Sequence, residues 1–171
     1  MSGQGHNLVP VKPSASRKAR IVGREGWEKP DIQGETMSIF DPKIVAFCCE
    51  QSGVPAAEMA KTLKLKMPDN LELVPVPCSG RIETLYLLKA LESGADGVVV
   101  FACYEENCRY LHGNVRLKGR VGYAKQIMAK IGLEGERLEI FHVATNSGVK
   151  FTEILMQKVD QLRQLGPNPA K

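Results

Sequence analysis

The sequence predicts an α/β protein: a small, doubly wound (flavodoxin- or Rossmann-like) four-stranded parallel sheet with helices on both faces. Three observations carry this prediction. Four short apolar runs, near residues 43–47, 71–76, 96–102 and 138–144, alternate with four stretches whose apolar residues recur at helical spacing. The third run holds Val98, Val99, Val100 and Phe101 in unbroken succession, as a central parallel strand buried on both faces would. The first three runs end at cysteines: Cys48-Cys49, Cys78 and Cys103, with Cys108 shortly after. Parallel strands bring their C-terminal ends to one edge, where open α/β sheets hold ligands. All five cysteines of the chain are expected at that edge.

The elements follow in order. Residues 1–40 form a basic extended arm, rich in Gly, Pro and Ser and without apolar periodicity. Trp27, the only tryptophan, suggests an arm that anchors on a partner. The domain spans residues 41–166, with 167–171 as a C-terminal tail. Lys43–Phe47 is the first strand. Pro55 suits a first helical turn, and Ala56, Ala57, Met59, Ala60 and Leu63 make the face of the first helix. Leu71–Val76 is a strand placed at an edge by Pro75 and Pro77, which remove ladder donors. Ser79 is expected to cap a helix with the stripe Ile82, Leu85, Tyr86, Leu88 and Leu91, closed by Gly94. Leu117, Val121, Ala124, Met128 and Ile131 mark a third helix that stops at Gly132. After the strand Leu138–Ala144, the last helix carries Phe151, Ile154, Leu155, Val159 and Leu162 and ends at Gly166-Pro167.

Composition narrows the function classes. No apolar run approaches the roughly 18 residues of a membrane span, and no signal core precedes the domain, so a cytoplasmic location is expected. The net charge of +4 is concentrated in residues 1–24, which hold Lys12, Arg17, Lys18, Arg20 and Arg24 and no acidic residue. The remainder is close to neutral, which argues against a nucleic-acid-binding domain. Five cysteines without a secretory signal point to metal or thiol chemistry instead of a disulfide framework.

Thiolates are soft ligands for zinc or iron–sulfur clusters. The spacing Cys103-x4-Cys108 is a weak signal alone. The stronger one is that separate strand ends each deliver a cysteine. Helices starting after Ser52 and Ser79 would turn positive ends toward an anionic cluster, and Arg81 and Arg109 lie close in sequence to two of the cysteines. A buried small hydrophobe is a reasonable reading of any one cysteine but a poor one of all five at strand ends. Cys48 and Cys49 point to opposite faces if the strand continues, so one of the two is a packing residue. The absence of C-x-x-C weakens a redox-active dithiol, and the absence of G-x-G-x-x-G or a Walker loop leaves a nucleotide site without support. Glu105, Glu106 and His112 read as loop residues, and His142 as a partly buried strand residue.

These residues resemble the delta subunit family of methyl-viologen-reducing hydrogenase, the hydrogenase iron–sulfur subunit. The resemblance covers about residues 41–166. It rests on Asp41-Pro42-Lys43-Ile44-Val45-Ala46-Phe47-Cys48-Cys49, Cys78-Ser79-Gly80-Arg81, Gly94-Ala95-Asp96-Gly97-Val98 and Cys103-x4-Cys108-x-Tyr110 with Gly113-Asn114 following. It implies an electron-transfer subunit of an anaerobic oxidoreductase complex that carries a 2Fe–2S cluster and performs no bond-making chemistry. Its implied partners are a flavin and iron–sulfur protein resembling heterodisulfide reductase A and further oxidoreductase subunits. The implied ligands are Cys49, Cys78, Cys103 and Cys108, with Cys48 as alternate. Where many members carry a further cysteine, this chain has Ser52. The rival expectation is a cluster-free or zinc-binding structural adaptor of such a complex.

Overall fold

A computed structural model describes residues 40–170. The expected arm therefore lies outside the described residues, apart from Phe40. Four strands alternate with four helices: β1 (Ile44–Cys49), α1 (Gly53–Thr62), β2 (Leu71–Val76), α2 (Thr84–Glu92), β3 (Gly97–Ala102), α3 (Gly113–Lys130), β4 (Leu138–His142) and α4 (Gly148–Leu165). All strand pairs are parallel and the order is β2-β1-β3-β4. The predicted doubly wound α/β class is therefore the observed one.

Side chains alternate across the two central strands, and this divides the core in two. Ile44, Ala46, Cys48, Val99 and Phe101 face α1 and α4, where the Phe101 ring packs tilted against Phe151 with centroids 4.2 Å apart. Val45, Phe47, Val98 and Val100 face α2 and α3, meeting Leu87, Leu91, Leu117 and Met128. Every residue of β1 and β3 is buried, whereas β2 and β4 are mostly half-buried edges. Pro75 stands opposite Cys48 on edge strand β2, where its missing N–H costs no ladder bond on the open side.

The N-terminal edge of the sheet is closed by polar groups with their needs met. Fully buried Arg137 donates to the carbonyls of Asp96, Gly166 and Pro167 and pairs with Glu134 at 2.7 Å. The Asp96 carboxylate accepts from the backbone of Lys43 and Asn168, both at 2.9 Å. Buried polar groups left unpaired are costly, so this closure fixes the end of the sheet opposite the cysteines.

Three helical expectations need correction. Ser79–Arg81 forms a separate 3-10 turn, and α2 begins only at Thr84 with Glu83 at its N-cap. Ser79 caps nothing, Ile82 lies before the helix, and Leu85 and Tyr86 face solvent while Leu87 and Leu91 fill the core. The turn arises because the Cys78 carbonyl captures the Arg81 N–H at 2.9 Å and the Ser79 carbonyl captures Ile82 at 3.1 Å. Similarly, Ala56, Ala57 and Ala60 are the buried face of α1, whereas Met59 and Leu63 are exposed, as is Ile131 at the end of α3.

Candidate metal centre

The crevice beyond the C-terminal ends of β1 and β3 lies at the switch point of the strand order, the position where such sheets bind ligands. Three buried thiols pack together there: Cys78 after β2, Cys103 after β3, and Cys108 from the following loop. Cys49, the last residue of β1, is close enough to act electrostatically on Cys78 and Cys103. Cys48 lies on the opposite face of β1, within the α1–α4 core, and its thiol donates to the Ala46 carbonyl at 3.6 Å. Strand alternation thus splits the pair. The structure packs Cys78, Cys103 and Cys108 together, with Cys49 near enough to act electrostatically on two of them, and it does not bring Cys48 to them.

The thiols occupy unequal environments. Burial pushes the Cys103 thiol up to about 12, with its hydrogen bond to Cys108 adding to the effect. Burial also raises Cys78, opposed by the Gly80 N–H that donates to its sulfur at 3.4 Å. For Cys108, desolvation is the largest single influence and acts upward. The backbone N–H groups of Asn114, Tyr110 and Gly113 and the hydrogen bond from Cys103 together overcome it, so Cys108 titrates below its usual range. Hydrogen bonding to the charged form favours that form, and three convergent N–H groups make a nest for a thiolate.

Helix α3 builds that nest. It starts at Gly113, directly after the Cys108 loop, and has no acidic residue in its first turn, so the positive end of its dipole is not neutralised locally. Helix α1 begins beside Cys49 with the same lack. Gly113 must be glycine: a Cβ there would lie 2.4 Å from the Cys78 sulfur and 3.4 Å from that of Cys108. A Cβ on Gly80 would meet the Gly113 backbone at 2.5 Å, so these two glycines let the Cys78 loop close on α3.

Side chains lock the loops in place. Asn114, 2% exposed, donates to the carbonyls of Cys103 at 3.0 Å and Tyr104 at 2.9 Å. His142 Nδ1 donates to the Cys103 carbonyl at 2.8 Å. Arg120 on α3 donates to the carbonyls of Gly80 at 2.7 Å and Ile82 at 2.9 Å. Arg109 bonds Gln51 at 3.2 Å, linking the Cys108 loop to the β1–α1 turn. Beside Cys78 opens a cavity of about 240 Å³ whose walls include Arg81, Tyr110 and Arg116.

The donor set fits a thiolate-bound group. Three soft donors pack together from separate elements with Cys49 nearby, the Gly80 N–H already points at the Cys78 sulfur, and two helix starts supply positive potential. The hydroxyls of Ser52 and Ser79 are buried at this edge without a hydrogen-bond partner, and a buried group in that condition awaits an acceptor or costs stability. Among the described residues, no three His, Cys, Asp or Glu side chains close on a point that would hold a single metal ion. Glu105 and Glu106 are exposed loop residues, as expected, and so is His112. The sequence pattern did not mark Asn114, Arg120 or His142 as loop-locking residues. Gly113 and Asn114 stood out in the sequence only as part of the family motif that follows the cysteine loop.

Comparison with known proteins gives a consistent result. The family described as methyl-viologen-reducing hydrogenase, delta subunit, matches residues 44–166. The iron-sulfur D subunit of the F420-non-reducing hydrogenase vhu from Methanocaldococcus jannaschii is 36% identical over 132 residues, covering 77% of this chain and 98% of that one. The protein of the same name from Methanococcus maripaludis is 38% identical over 131 residues, with the same coverage of 77% and 98%. The A subunit of the ferredoxin/F420H2-dependent CoB-CoM heterodisulfide reductase of Methanosarcina acetivorans is 32% identical over 126 residues. That match covers 74% of this chain but only 16% of the relative, which therefore carries the similar region within a much longer polypeptide.

Proposed function

The chain belongs to the methyl-viologen-reducing hydrogenase delta subunit family, and from that premise we propose that it is the subunit that relays single electrons through a 2Fe–2S cluster held by Cys49, Cys78, Cys103 and Cys108. The observation that carries the proposal is the packing of Cys78, Cys103 and Cys108 at one crevice with Cys49 near them, and Cys48 turned into the core. When bound, such a cluster takes up one electron and gives up one electron, with no bond made or broken in the protein.

The residues of the chain supply ligation, charge balance and rigidity. The N–H groups of Tyr110, Gly113 and Asn114 stabilise negative charge at Cys108, and that of Gly80 does so at Cys78. Hydrogen bonds to ligand sulfurs favour the more negative, reduced state and so raise the reduction potential. Asn114, His142 and Arg120 hold the ligand loops against movement between the two states.

The proposed partner is a heterodisulfide-reductase-A-like flavin and iron–sulfur protein within a cytoplasmic oxidoreductase complex. Support comes from the relatives named as the A subunit of heterodisulfide reductase, in which a region similar to this chain is part of the same polypeptide. No helix among the described residues is long and apolar enough to cross a membrane. Serine substitutions test the ligand set. C49S, C78S, C103S and C108S should each abolish the visible absorbance of the anaerobically purified chain, while C48S keeps it. Retention of the full spectrum in C78S, C103S and C108S would refute the assignment.

A further inference from the structure

Leu111 stands out next to the cysteine centre. Its backbone is left-handed, at φ 63°, and its side chain is 74% exposed. For a residue other than Gly or Asn that conformation is strained. The tight turn itself has a cause. The Leu111 N–H bonds the Cys108 carbonyl at 2.9 Å, which closes the turn that leads into α3 at Gly113. The residue type does not share that cause. Glycine would relieve the backbone, and a solvent-facing leucine adds nothing to the stability of the isolated chain.

The surroundings match a contact surface. Tyr110 and Val115, close to Leu111 in sequence, are also exposed apolar or aromatic residues, at 56% and 47%. Arg81, Arg109 and Arg116 are all exposed around it, and Arg81 and Arg116 make no ion pair among the described residues. Arg81, Tyr110 and Arg116 line the cavity into which Cys78 opens past Gly80 and Gly113. Cys78 itself forms part of that cavity's wall, so an acceptor seated there would lie against a thiol of the centre.

We propose that Leu111, with Tyr110 and Val115, is the apolar centre of the surface on which this chain docks its redox partner. The complementary surface is a protein face with an apolar depression rimmed by carboxylates, facing Arg81, Arg109 and Arg116. An apolar anchor surrounded by charge is the usual anatomy of a specific interface. The partner's burial of Leu111 returns the free energy that the turn and the exposed leucine cost the free chain. This docking surface rests on the electron-relay reading of the centre beside it.

The test is equilibrium binding of the full chain, purified anaerobically, to a separately produced heterodisulfide-reductase-A-like flavoprotein at low and high salt. Leu111→Gly and Leu111→Asn both tolerate the left-handed turn. Each should melt at or above the parent temperature, leave the dithionite-reduced paramagnetic resonance signal unchanged, and weaken binding roughly tenfold or more. The double variant Arg81→Glu/Arg116→Glu should weaken binding at low salt and flatten its salt dependence. Parent-like affinity in both Leu111 variants, or a parent chain that does not bind, would overturn the docking surface while leaving the cysteine centre standing. An absent resonance signal in the parent would overturn the relay instead, and the binding comparison would still decide the docking surface.

Discussion

Replacing Gly113 by alanine is a sharp test of how the centre is built. The added Cβ would lie 2.4 Å from the Cys78 sulfur and 3.4 Å from the Cys108 sulfur. The first distance is inside van der Waals contact, so either α3 or the Cys78 loop must move. Overpacking of this kind costs about 1–3 kcal/mol. Gly119 and Gly122 sit on the same helix with nothing within 4 Å of an added Cβ. There Gly→Ala should stabilise by about 1 kcal/mol through helix propensity. The same substitution on one helix therefore carries opposite signs, a gap of about 2–4 kcal/mol between G113A and G119A. At about 2–4 °C per kcal/mol for a domain of this size, G113A should melt roughly 4–16 °C below G119A. It should also lose iron, because the displaced ligand loop carries Cys78. Thermal denaturation under nitrogen and iron content read both effects. G113A melting with G119A and retaining full iron would refute the wedge of Cys78 and Cys108 sulfur against Gly113.

Three further outcomes are expected. Asn114→Ala removes both donors to the Cys103 and Tyr104 carbonyls. It should cost about 1–3 kcal/mol by urea denaturation and speed iron loss to a chelator, and an unchanged midpoint with unchanged iron loss would contradict the locking role. Thiol alkylation of the iron-free chain should follow the order of acidity. Cys108 titrates below its ordinary value of 9.0, while Cys103 and Cys48 are raised to about 12, so peptide mapping at neutral pH should find Cys108 modified well before the other two. Equal modification of Cys103 would contradict the N–H nest. The sign carries over to stability: the raised folded-state value at Cys103 gives a contribution present below about 9 and lost as pH rises toward about 12. Arg120→Ala should loosen the turn at residues 79–82 by removing its two bonds to the Gly80 and Ile82 carbonyls. That should appear as faster amide exchange at Arg81 and Ile82, with exchange in β3 unaffected.

The parts of the fold legible in the sequence were those set by short-range pattern. The Val98–Phe101 run announced a central strand because burial on both faces leaves no polar position. Pro75 and Pro77 announced an edge because proline cannot complete a ladder, and β2 pairs only with β1. Period-two alternation required that Cys48 and Cys49 part company, but which of them faces the crevice depends on how β1 registers with β2 and β3. What was not legible depends on partners distant in sequence. Ser79 resembled a cap, yet the Cys78 carbonyl holds the next residues in a 3-10 turn and postpones α2. Leu85 and Tyr86 fitted a helical stripe, but α2 turns Leu87 and Leu91 to the core and leaves those two exposed, a choice set by packing against the sheet and α3. Gly113 gave no hint that the Cys78 sulfur presses on it. No propensity points to a left-handed leucine at 111, since glycine or asparagine is the residue that conformation favours.

The central claim is that Cys49, Cys78, Cys103 and Cys108 hold a two-iron, one-electron centre. Electron paramagnetic resonance of the anaerobically purified chain, reduced with dithionite and paired with iron and zinc analysis, tests it most directly. The expected result is about two irons per chain, negligible zinc and a spin-half signal that persists at tens of kelvin, lost in C78S and retained in C48S. A colourless chain without iron after anaerobic reconstitution, or one binding a single zinc, would contradict it and leave the cysteine crevice as a structural site.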